Sequence, residues 1–315
     1  MSDARLLREQ LRGRVSVVLD GAMGTELSRR GVTLQAPRWS AAALEGAPSV
    51  VRDVHRDYVQ GGAQVITTNT FSLDSADTAA IECAVALARE GIAASDRSDR
   101  ERVRIAGSIG ALGRRMRPPP VEHRHDIDGP GTMYGMLARE LVRQGCDLLF
   151  VETVIDASDA AVAVAAIDGA QLNVPLWLSV ACGADGSLLG VGELDALPSD
   201  RVDALLVACT EGTAVAEAMA ALPPAFTGWR GIAPSTGKIK DGRFDAEGTE
   251  PASLEREVAA IRATERIDIV GGCCGTTPAF IATLASRVHA NAAARSAAFD
   301  RLDQHLSAQP ARGSA

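Results

Sequence analysis

Eight short apolar runs recur along this chain, and each is followed by a segment with helical spacing or by a loop. The runs occupy residues 15–20, 64–69, 104–110, 147–152, 176–181, 204–209, 226–233 and 267–272. Several are almost uninterrupted in apolar residues, as strands buried on both faces of a parallel sheet should be. Strands that alternate with helices indicate an α/β protein, and eight of them predict a single closed (β/α)8 TIM barrel.

The intervening segments carry helical periodicity, as Val50, Val54 and Tyr58 illustrate. Helices are predicted at 48–60, 75–94, 133–144, 158–167, 214–221 and 251–264. Another should start near Glu26, and residues 117–131, rich in proline and glycine, are predicted to form a long loop. An open doubly wound sheet is the alternative. The strand count and the lack of a Gly-x-Gly-x-x-Gly fingerprint after the first strand favour the barrel.

The length and the charge of the chain narrow the possibilities. Its 315 residues suit one barrel of about 250 residues with insertions. We therefore expect a single domain over 1–315, with a core at about 15–290 and a frayed tail at 308–315. The net charge of −8 gives no general attraction to nucleic acid or to anionic membranes.

The compartment is predicted from what the sequence lacks. It has no charge-free run of 18 apolar residues and no signal-peptide pattern in its first 30 residues, so we expect no membrane span and a cytoplasmic location. In that reducing compartment, six cysteines are more often used for packing, metal binding or catalysis than for disulfides.

Polar and sulfur-bearing residues gather where the predicted strands end. The first strand ends in Asp20, the fourth in Glu152, the sixth in Cys209 and the eighth in Cys273 and Cys274. In a (β/α)8 barrel the carboxyl ends of all strands meet at one rim, where the chemistry takes place. The sequence therefore predicts a functional site built from these residues.

The adjacent pair Cys273 and Cys274 is a poor candidate for a disulfide because the geometry would be strained. The flanking Gly272 and Gly275 permit backbone angles that turn both sulfurs toward one ion. A third sulfur from Cys209 would leave the fourth position of a tetrahedral zinc ion open for substrate. Alternatively, Cys209 is a small buried hydrophobic residue.

The remaining sulfurs and imidazoles give weaker signals. Cys83, on a predicted helix, and Cys146, at the start of a strand, are expected to pack in the core, and Cys182 is a weaker metal candidate. None of the histidines falls at a strand end, so surface or packing roles are expected for His55, His123, His125, His289 and His305.

Two carboxylates and one loop could bind an amino acid. Asp20 and Glu152 follow apolar strands, and each could hold a substrate ammonium group. A salt bridge or a helix cap is the alternative for each of them. The loop Gly21, Ala22 and Met23 leads from a strand into a helix, and its free backbone N–H groups could hold a carboxylate.

Four stretches form an ordered set of motifs: VLDGAMGTEL at 18–27, GGAQVITTNTF at 61–71, DLLFVET at 147–153 and VGGCCGTTP at 270–278. Together they resemble the homocysteine S-methyltransferase family. That family includes betaine– and S-methylmethionine–homocysteine methyltransferases and the homocysteine-binding module of cobalamin-dependent methionine synthase. The resemblance spans residues 15–288, and its last motif is highly specific.

The resemblance implies a zinc-binding barrel in which Cys209, Cys273 and Cys274 hold the metal. It implies that Glu152 contacts the amino group of homocysteine and that Asp20 and the loop after it bind the amino acid. The expected reaction moves a methyl group from a sulfonium donor, S-methylmethionine or S-adenosylmethionine, to the thiol of L-homocysteine and gives methionine.

Two departures from the family pattern qualify this expectation. Ala208 stands before Cys209 where the family usually has asparagine, which motivates methylation of another thiol or selenol as an alternative. Ser72 follows Phe71 where betaine-using relatives carry tyrosine, which disfavours betaine as donor. A third possibility is a zinc- and homocysteine-binding subunit that needs a partner to deliver the methyl group. Exposed barrel helices could support a homodimer.

Overall fold

The computed structural model describes residues 16–34, 37–111, 129–154, 157–181, 201–240, 243–245, 256, 258–259, 261, 267–289 and 292–307. Its main sheet has eight strands: β1 (Val17–Val18), β2 (Val65–Thr67), β3 (Arg104–Gly110), β4 (Leu148–Val154), β5 (Leu176–Val180), β6 (Ala204–Glu211), β7 (Trp229–Ser235) and β8 (Ile269–Val270). A small antiparallel ribbon pairs Lys238–Lys240 with Arg243–Asp245.

The eight strands close into a barrel. They are parallel and follow one another in the order β1, β8, β7, β6, β5, β4, β3 and β2. A bridge between Leu19 and Val65 joins the two ends of this order. There the Gln64 N–H donates to the Val18 carbonyl at 2.7 Å. The predicted (β/α)8 barrel is therefore confirmed, and the open doubly wound sheet is excluded.

Helices lie between the strands and against their outer faces. They are α1 (Met23–Arg29), α2 (Ala43–Gly46), α3 (Pro48–Gly61), α4 (Thr78–Ala93), α5 (Gly129–Arg143), α6 (Ala157–Gly169), α7 (Gly212–Ala220), α8 (Pro278–Val288) and α9 (Ala292–Ser307). None of these helices is both long enough and apolar enough to cross a membrane.

Several predicted boundaries were wrong by three residues or so: β7 begins at Trp229 rather than at 226, and α4 begins at Thr78 rather than at 75. Helix α1 begins at Met23 rather than near Glu26, because Ala22 is the last residue with an extended backbone. Helix α5 begins at Gly129, inside the predicted loop, since Pro130 stands in the first turn, where its missing N–H breaks no hydrogen bond. The rest of that loop, most of the predicted helix 251–264 and the tail 308–315 lie outside the described residues.

Alternation along the strands separates two apolar layers. In β4, Leu149 and Val151 pack outward against the helices, whereas Leu148 and Phe150 face the barrel axis. The axial cluster consists of Val17, Leu19, Val65, Ala106, Leu148, Phe150, Trp177, Ala204, Leu206, Ala208, Ala233, Ile269 and Leu302. The barrel interior is therefore a packed core, and a site can form only above it, at the rim.

Helix α9, which the sequence did not predict, contacts the ends where the strands begin. Its Leu302 is fully buried in the axial cluster. Its His305 ring stacks on Trp229, the first residue of β7, at 4.0 Å between ring centroids. The Trp177 Nε1–H donates to His305 Nε2 at 3.2 Å. Helix α9 thus closes the end of the barrel opposite the carboxyl ends of the strands.

We expect Leu302→Ala to lower the free energy of unfolding by about 2–5 kcal/mol, because it leaves a cavity at the base of the axial cluster. The exposed Gln304 on the same helix offers a matched control, since Gln304→Ala should change stability by about 0.5 kcal/mol or less. Urea unfolding measures both. Equal stabilities for the two variants would show that α9 does not seal the barrel.

Candidate metal centre

Three sulfur atoms meet at the rim. Cys209 lies in β6 near its carboxyl end, and Cys273 and Cys274 follow β8. The Cys209 Sγ lies 2.9 Å from the Cys273 Sγ and 3.7 Å from the Cys274 Sγ. All three sulfurs lie within 4.8 Å of one another, and no other group of three metal-ligating side chains meets that limit among the described residues.

A break in strand alternation turns Cys209 toward the barrel axis. Ala204, Leu206 and Ala208 face the axis, so a regular strand would point Cys209 outward. The pairing of β6 with β7 shifts register between Ala208 and Glu211, and Cys209 has a φ of 52°. This bulge with a left-handed residue redirects the sulfur into the site.

Backbone hydrogen bonds fix the other two cysteines. The Cys273 N–H donates to the Pro234 carbonyl at 2.8 Å, and the Thr236 N–H donates to the Cys274 carbonyl at 3.0 Å. The chain then turns at Gly275, which has a φ of 82°. Both sulfurs are thereby held beside the end of β7, and the predicted use of glycine to turn the chain is seen at Gly275.

The loop after β1 packs directly on the cysteine turn. The Tyr58 hydroxyl donates to the Ala22 carbonyl at 2.9 Å, and the Ala22 N–H donates to Thr276 Oγ1 at 3.3 Å. A Cβ on Gly21 would come within 2.7 Å of Thr276 Oγ1 and 2.9 Å of Tyr58. Gly21 is therefore required for this close approach. The Ala22 N–H is already bonded to Thr276, so it is not free to bind a substrate carboxylate.

The donor set fits a thiophilic cation. Tetrahedral zinc with bonds of about 2.3 Å to sulfur places its sulfur ligands about 3.8 Å apart. The separation of Cys209 and Cys274 already matches that value, and Cys273 would need to move outward by less than about 1 Å. All three cysteines are free of disulfides. The cluster could therefore bind a metal ion.

Electrostatics allow the three thiols little negative charge on their own. Hydrogen bonds from Cys273 and Cys274 hold the pKa of the Cys209 thiol well below its ordinary value. The same contacts with Cys209 raise the pKa of both partners well above theirs. A bound cation would reverse this by favouring the thiolate form of each ligand.

The two predicted carboxylates lie on neighbouring parts of the rim and are held by different hydroxyl groups. Asp20 Oδ2 accepts the Thr67 N–H at 2.8 Å, and the Thr67 hydroxyl lies 3.2 Å from either oxygen. Glu152 Oε1 accepts a short hydrogen bond from the Ser108 hydroxyl. Neither carboxylate forms a salt bridge within the part of the chain that the structure describes.

Both carboxylates hold protons unusually tightly. The pKa of Glu152 is raised from 4.5 to about 7: burial is the main cause, the Ser108 hydrogen bond opposes it, and the nearby Cys209 adds to it. Burial also raises the pKa of Asp20 well above its ordinary value, with a further contribution from the charge of Glu152. A positively charged group between them would relieve both effects.

Sequence reasoning missed several hydroxyl groups of the site. Ser108 could have been found, since alternation from Ala106 points it toward the barrel axis. Thr153 could not, because it stands in a second bulge, in β4, with a φ of 61°. Its N–H donates to Ser179 Oγ at 2.8 Å.

The other candidates lie away from the cysteines or outside the description. Cys146 is buried, and Cys83 lies on α4 with its thiol near the Leu44 carbonyl. His55 and His289 are buried beside the barrel. Cys182, His123 and His125 lie outside the described residues.

The closed (β/α)8 barrel and the three thiols at its rim define the class: a barrel protein with a candidate thiolate metal site. Comparison with known proteins then identifies the family: the homocysteine S-methyltransferase model matches residues 17–288. The homocysteine S-methyltransferase of Escherichia coli is 30% identical, over 91% of this chain and 100% of that protein. The selenocysteine methyltransferase of Astragalus bisulcatus is 25% identical, over 84% and 90% of the two chains.

A solved structure agrees with these sequence matches. The metallated form of the E. coli homocysteine methyltransferase MmuM superposes with a TM-score of 0.68 at 26% identity, covering 89% of this chain and 99% of that one. The chain therefore belongs to the homocysteine S-methyltransferase family of enzymes, as its motifs predict.

The raised pKa of Glu152 predicts a pH-dependent stability. Folded Glu152 keeps its proton up to about pH 7, whereas the unfolded chain releases it near 4.5. The folded state thus binds more protons in that window, and wild type should lose stability relative to Glu152→Gln as the pH rises through it, by on the order of 2 kcal/mol. Chemical unfolding of the metal-free chain at several pH values measures this difference.

The exposed Glu82 offers a matched control for that experiment. Glu82→Gln should follow the wild-type pH dependence throughout. If wild type and Glu152→Gln also ran parallel between pH 4.5 and 7, the environment assigned to Glu152 would be incorrect.

Proposed function

We propose that this enzyme transfers a methyl group from a sulfonium donor, S-methylmethionine or S-adenosylmethionine, to the thiol of L-homocysteine, and that Cys209, Cys273 and Cys274 hold a zinc ion for this purpose. The observation that carries the proposal is the convergence of three sulfurs within 4.8 Å at the rim of a barrel of this family. Family membership supports the acceptor, and the metallated relative supports a bound metal.

Cys209, Cys273 and Cys274 would hold the zinc ion as three protein ligands, and the remaining coordination position would be open to the acceptor. When bound, zinc supplies the Lewis acidity that keeps a thiol as nucleophilic thiolate at neutral pH, where a free thiol with a pKa near 8.5 is mostly protonated. The backbone at the rim would position the three sulfur ligands. Backbone bonds to Pro234 and Thr236 fix Cys273 and Cys274, and the bulge aims Cys209.

The carboxylates and the loop after β1 would orient the amino-acid end of the acceptor. Glu152 and Asp20 lie close enough for their charges to interact, so an ammonium group beside them removes a repulsion. Gly21 and Met23 offer backbone N–H groups to the carboxylate, since no side chain caps the start of α1. This arrangement would hold the acceptor with its sulfur toward the cysteines.

Aromatic side chains at the rim favour a cationic donor. The Trp39 ring packs over Gly24, where a Cβ would come within 3.0 Å of it, and meets Phe71 edge-on at 6.5 Å. An aromatic face attracts a sulfonium as it attracts other cations. The Ser72 hydroxyl donates to the Arg38 carbonyl, which anchors the Trp39 segment. Ser72 therefore secures this segment, whereas betaine-using relatives carry tyrosine at that position.

We expect the purified chain to contain about one zinc ion, and Cys209→Ser and Cys273→Ser to lose it, because two sulfurs cannot replace a three-thiolate site. Elemental analysis after gel filtration gives the metal content. Cys83→Ser is the matched control and should keep its zinc, since Cys83 lies on α4, outside the cluster. Unchanged zinc in Cys273→Ser would refute the site.

We expect the zinc-loaded enzyme to form methionine from homocysteine and S-methylmethionine or S-adenosylmethionine. Glu152→Gln should raise the KM for homocysteine about 10- to 100-fold, because a charge-assisted hydrogen bond to the ammonium group contributes about 1.5–3 kcal/mol. Glu82→Gln should leave the KM unchanged. Chromatographic detection of methionine provides the assay.

The same assay separates the alternatives. Ala208 and the selenocysteine methyltransferase relative favour comparing cysteine and selenocysteine as competing acceptors. Preferential methylation of either would replace homocysteine as the acceptor. Binding of zinc and homocysteine without turnover on either donor would indicate a subunit that depends on a partner. The homodimer stays a prediction, which sedimentation would measure.

A further inference from the structure

Ser235 lies beside the cysteine cluster although no motif marks it. It is the last residue of β7, in which Ala233 faces the barrel axis. Alternation therefore points the Ser235 side chain toward the same axis, one step nearer the rim. Only 1% of the residue is exposed.

The neighbours of Ser235 are tied to all three cysteines. Pro234 accepts the N–H of Cys273, and Thr236 donates to the carbonyl of Cys274. On its other side, Ser235 pairs with Glu211 across the bulge that contains Cys209. Ser235 is thus held between the two segments that supply the sulfurs.

The hydroxyl of Ser235 has no hydrogen-bond partner of regular geometry among the described residues. A buried polar group without a partner costs about 1–3 kcal/mol, so this position is expected to have an acceptor in the working enzyme. Cys209, in the bulge next to the pairing of Ser235 with Glu211, is the candidate. The side chains of Ser235 and Thr153 both lie close enough to the Cys209 thiol to interact with it.

We propose that Ser235, together with Thr153, is a positioning residue that donates its hydroxyl hydrogen to the Cys209 sulfur in the metal-loaded enzyme. This inference rests on the proposed zinc site. Three thiolates around a dication leave a net negative charge in a buried place, and hydroxyl donors offset it. Ala208, which precedes Cys209 and faces the barrel axis, cannot donate a hydrogen bond from its side chain because it carries only a methyl group.

The test uses the full-length chain loaded with zinc or with cobalt(II), whose thiolate charge-transfer absorption reports on the sulfur ligands. Ser235→Ala should weaken zinc binding about tenfold in a chelator competition, as loss of a contact to a metal ligand typically does. Its charge-transfer band should move to lower energy, because a sulfur without a hydrogen bond gives up electron density more easily.

Two comparisons separate positioning from general stability. Ser16→Ala removes a buried hydroxyl at the start of β1, where it donates to the Ile267 carbonyl at 2.8 Å, and should change neither metal readout. At the second donor, Thr153→Val should shift the band in the same direction as Ser235→Ala, whereas Thr153→Ser, which keeps the hydroxyl, should retain the wild-type band. This pair keeps the proposal testable should Ser235→Ala fold poorly.

Each outcome decides one hypothesis. If wild type binds both ions and Ser235→Ala matches it in affinity and in spectrum, Ser235 does not act on Cys209, and the zinc site stands. Equal losses in Ser235→Ala and Ser16→Ala would also overturn the inference. A wild-type chain that binds neither ion would refute the proposed zinc site itself, and this inference with it.

Discussion

Closure of the parallel sheet through β1 is the constraint on which the rim depends. Leu19 donates its N–H to Val270, Asp20 donates to Val65, and Gly272 donates back to the Asp20 carbonyl, all at 2.8–3.0 Å. These bonds make the first and last strands neighbours although they lie far apart in sequence. The amino-acid-binding loop expected after β1 and the cysteine pair after β8 therefore share one wall. Opening the barrel at β1 would separate this loop from the cysteine pair, and no substitution within the loop or the pair could bring the two together again.

Two bulges convert a regular barrel rim into an oriented site. Thr153 and Cys209 both have left-handed backbone angles, with φ values of 61° and 52°, and each stands where its strand shifts register. Such angles cost a non-glycine residue about 1–3 kcal/mol. This strain is more readily tolerated where the surrounding hydrogen bonds fix the backbone. At Thr153 the bond from its N–H to Ser179 contributes to that support. Of these two strained residues, Cys209 belongs to the sulfur cluster, and there the departure from strand alternation turns a metal-ligating side chain into the site.

Much of this architecture was predictable because it repeats. Eight apolar runs identified all eight strands, and the rule that strand ends meet at one rim brought Cys209 and Cys273 together. Local pattern could not predict the direction of Cys209, since its bulge depends on how β6 pairs with β7. Helix α9 was missed for a similar reason. Its Leu302 and His305 find their partners in the barrel base, contacts that no short-range periodicity reveals.

The charges at the rim determine which ligands the site can accept. Three thiols and two carboxylates stand close together, and burial together with mutual repulsion makes negative charge costly there. Cations are therefore favoured, both as a metal among the sulfurs and as an ammonium group beside Glu152. In the proposed binding mode, the carboxylate of an amino acid would be repelled from the same place and would point toward the backbone N–H groups at Met23. For the proposed acceptor, this charge distribution favours one orientation, in which the sulfur is free to reach the cysteine cluster.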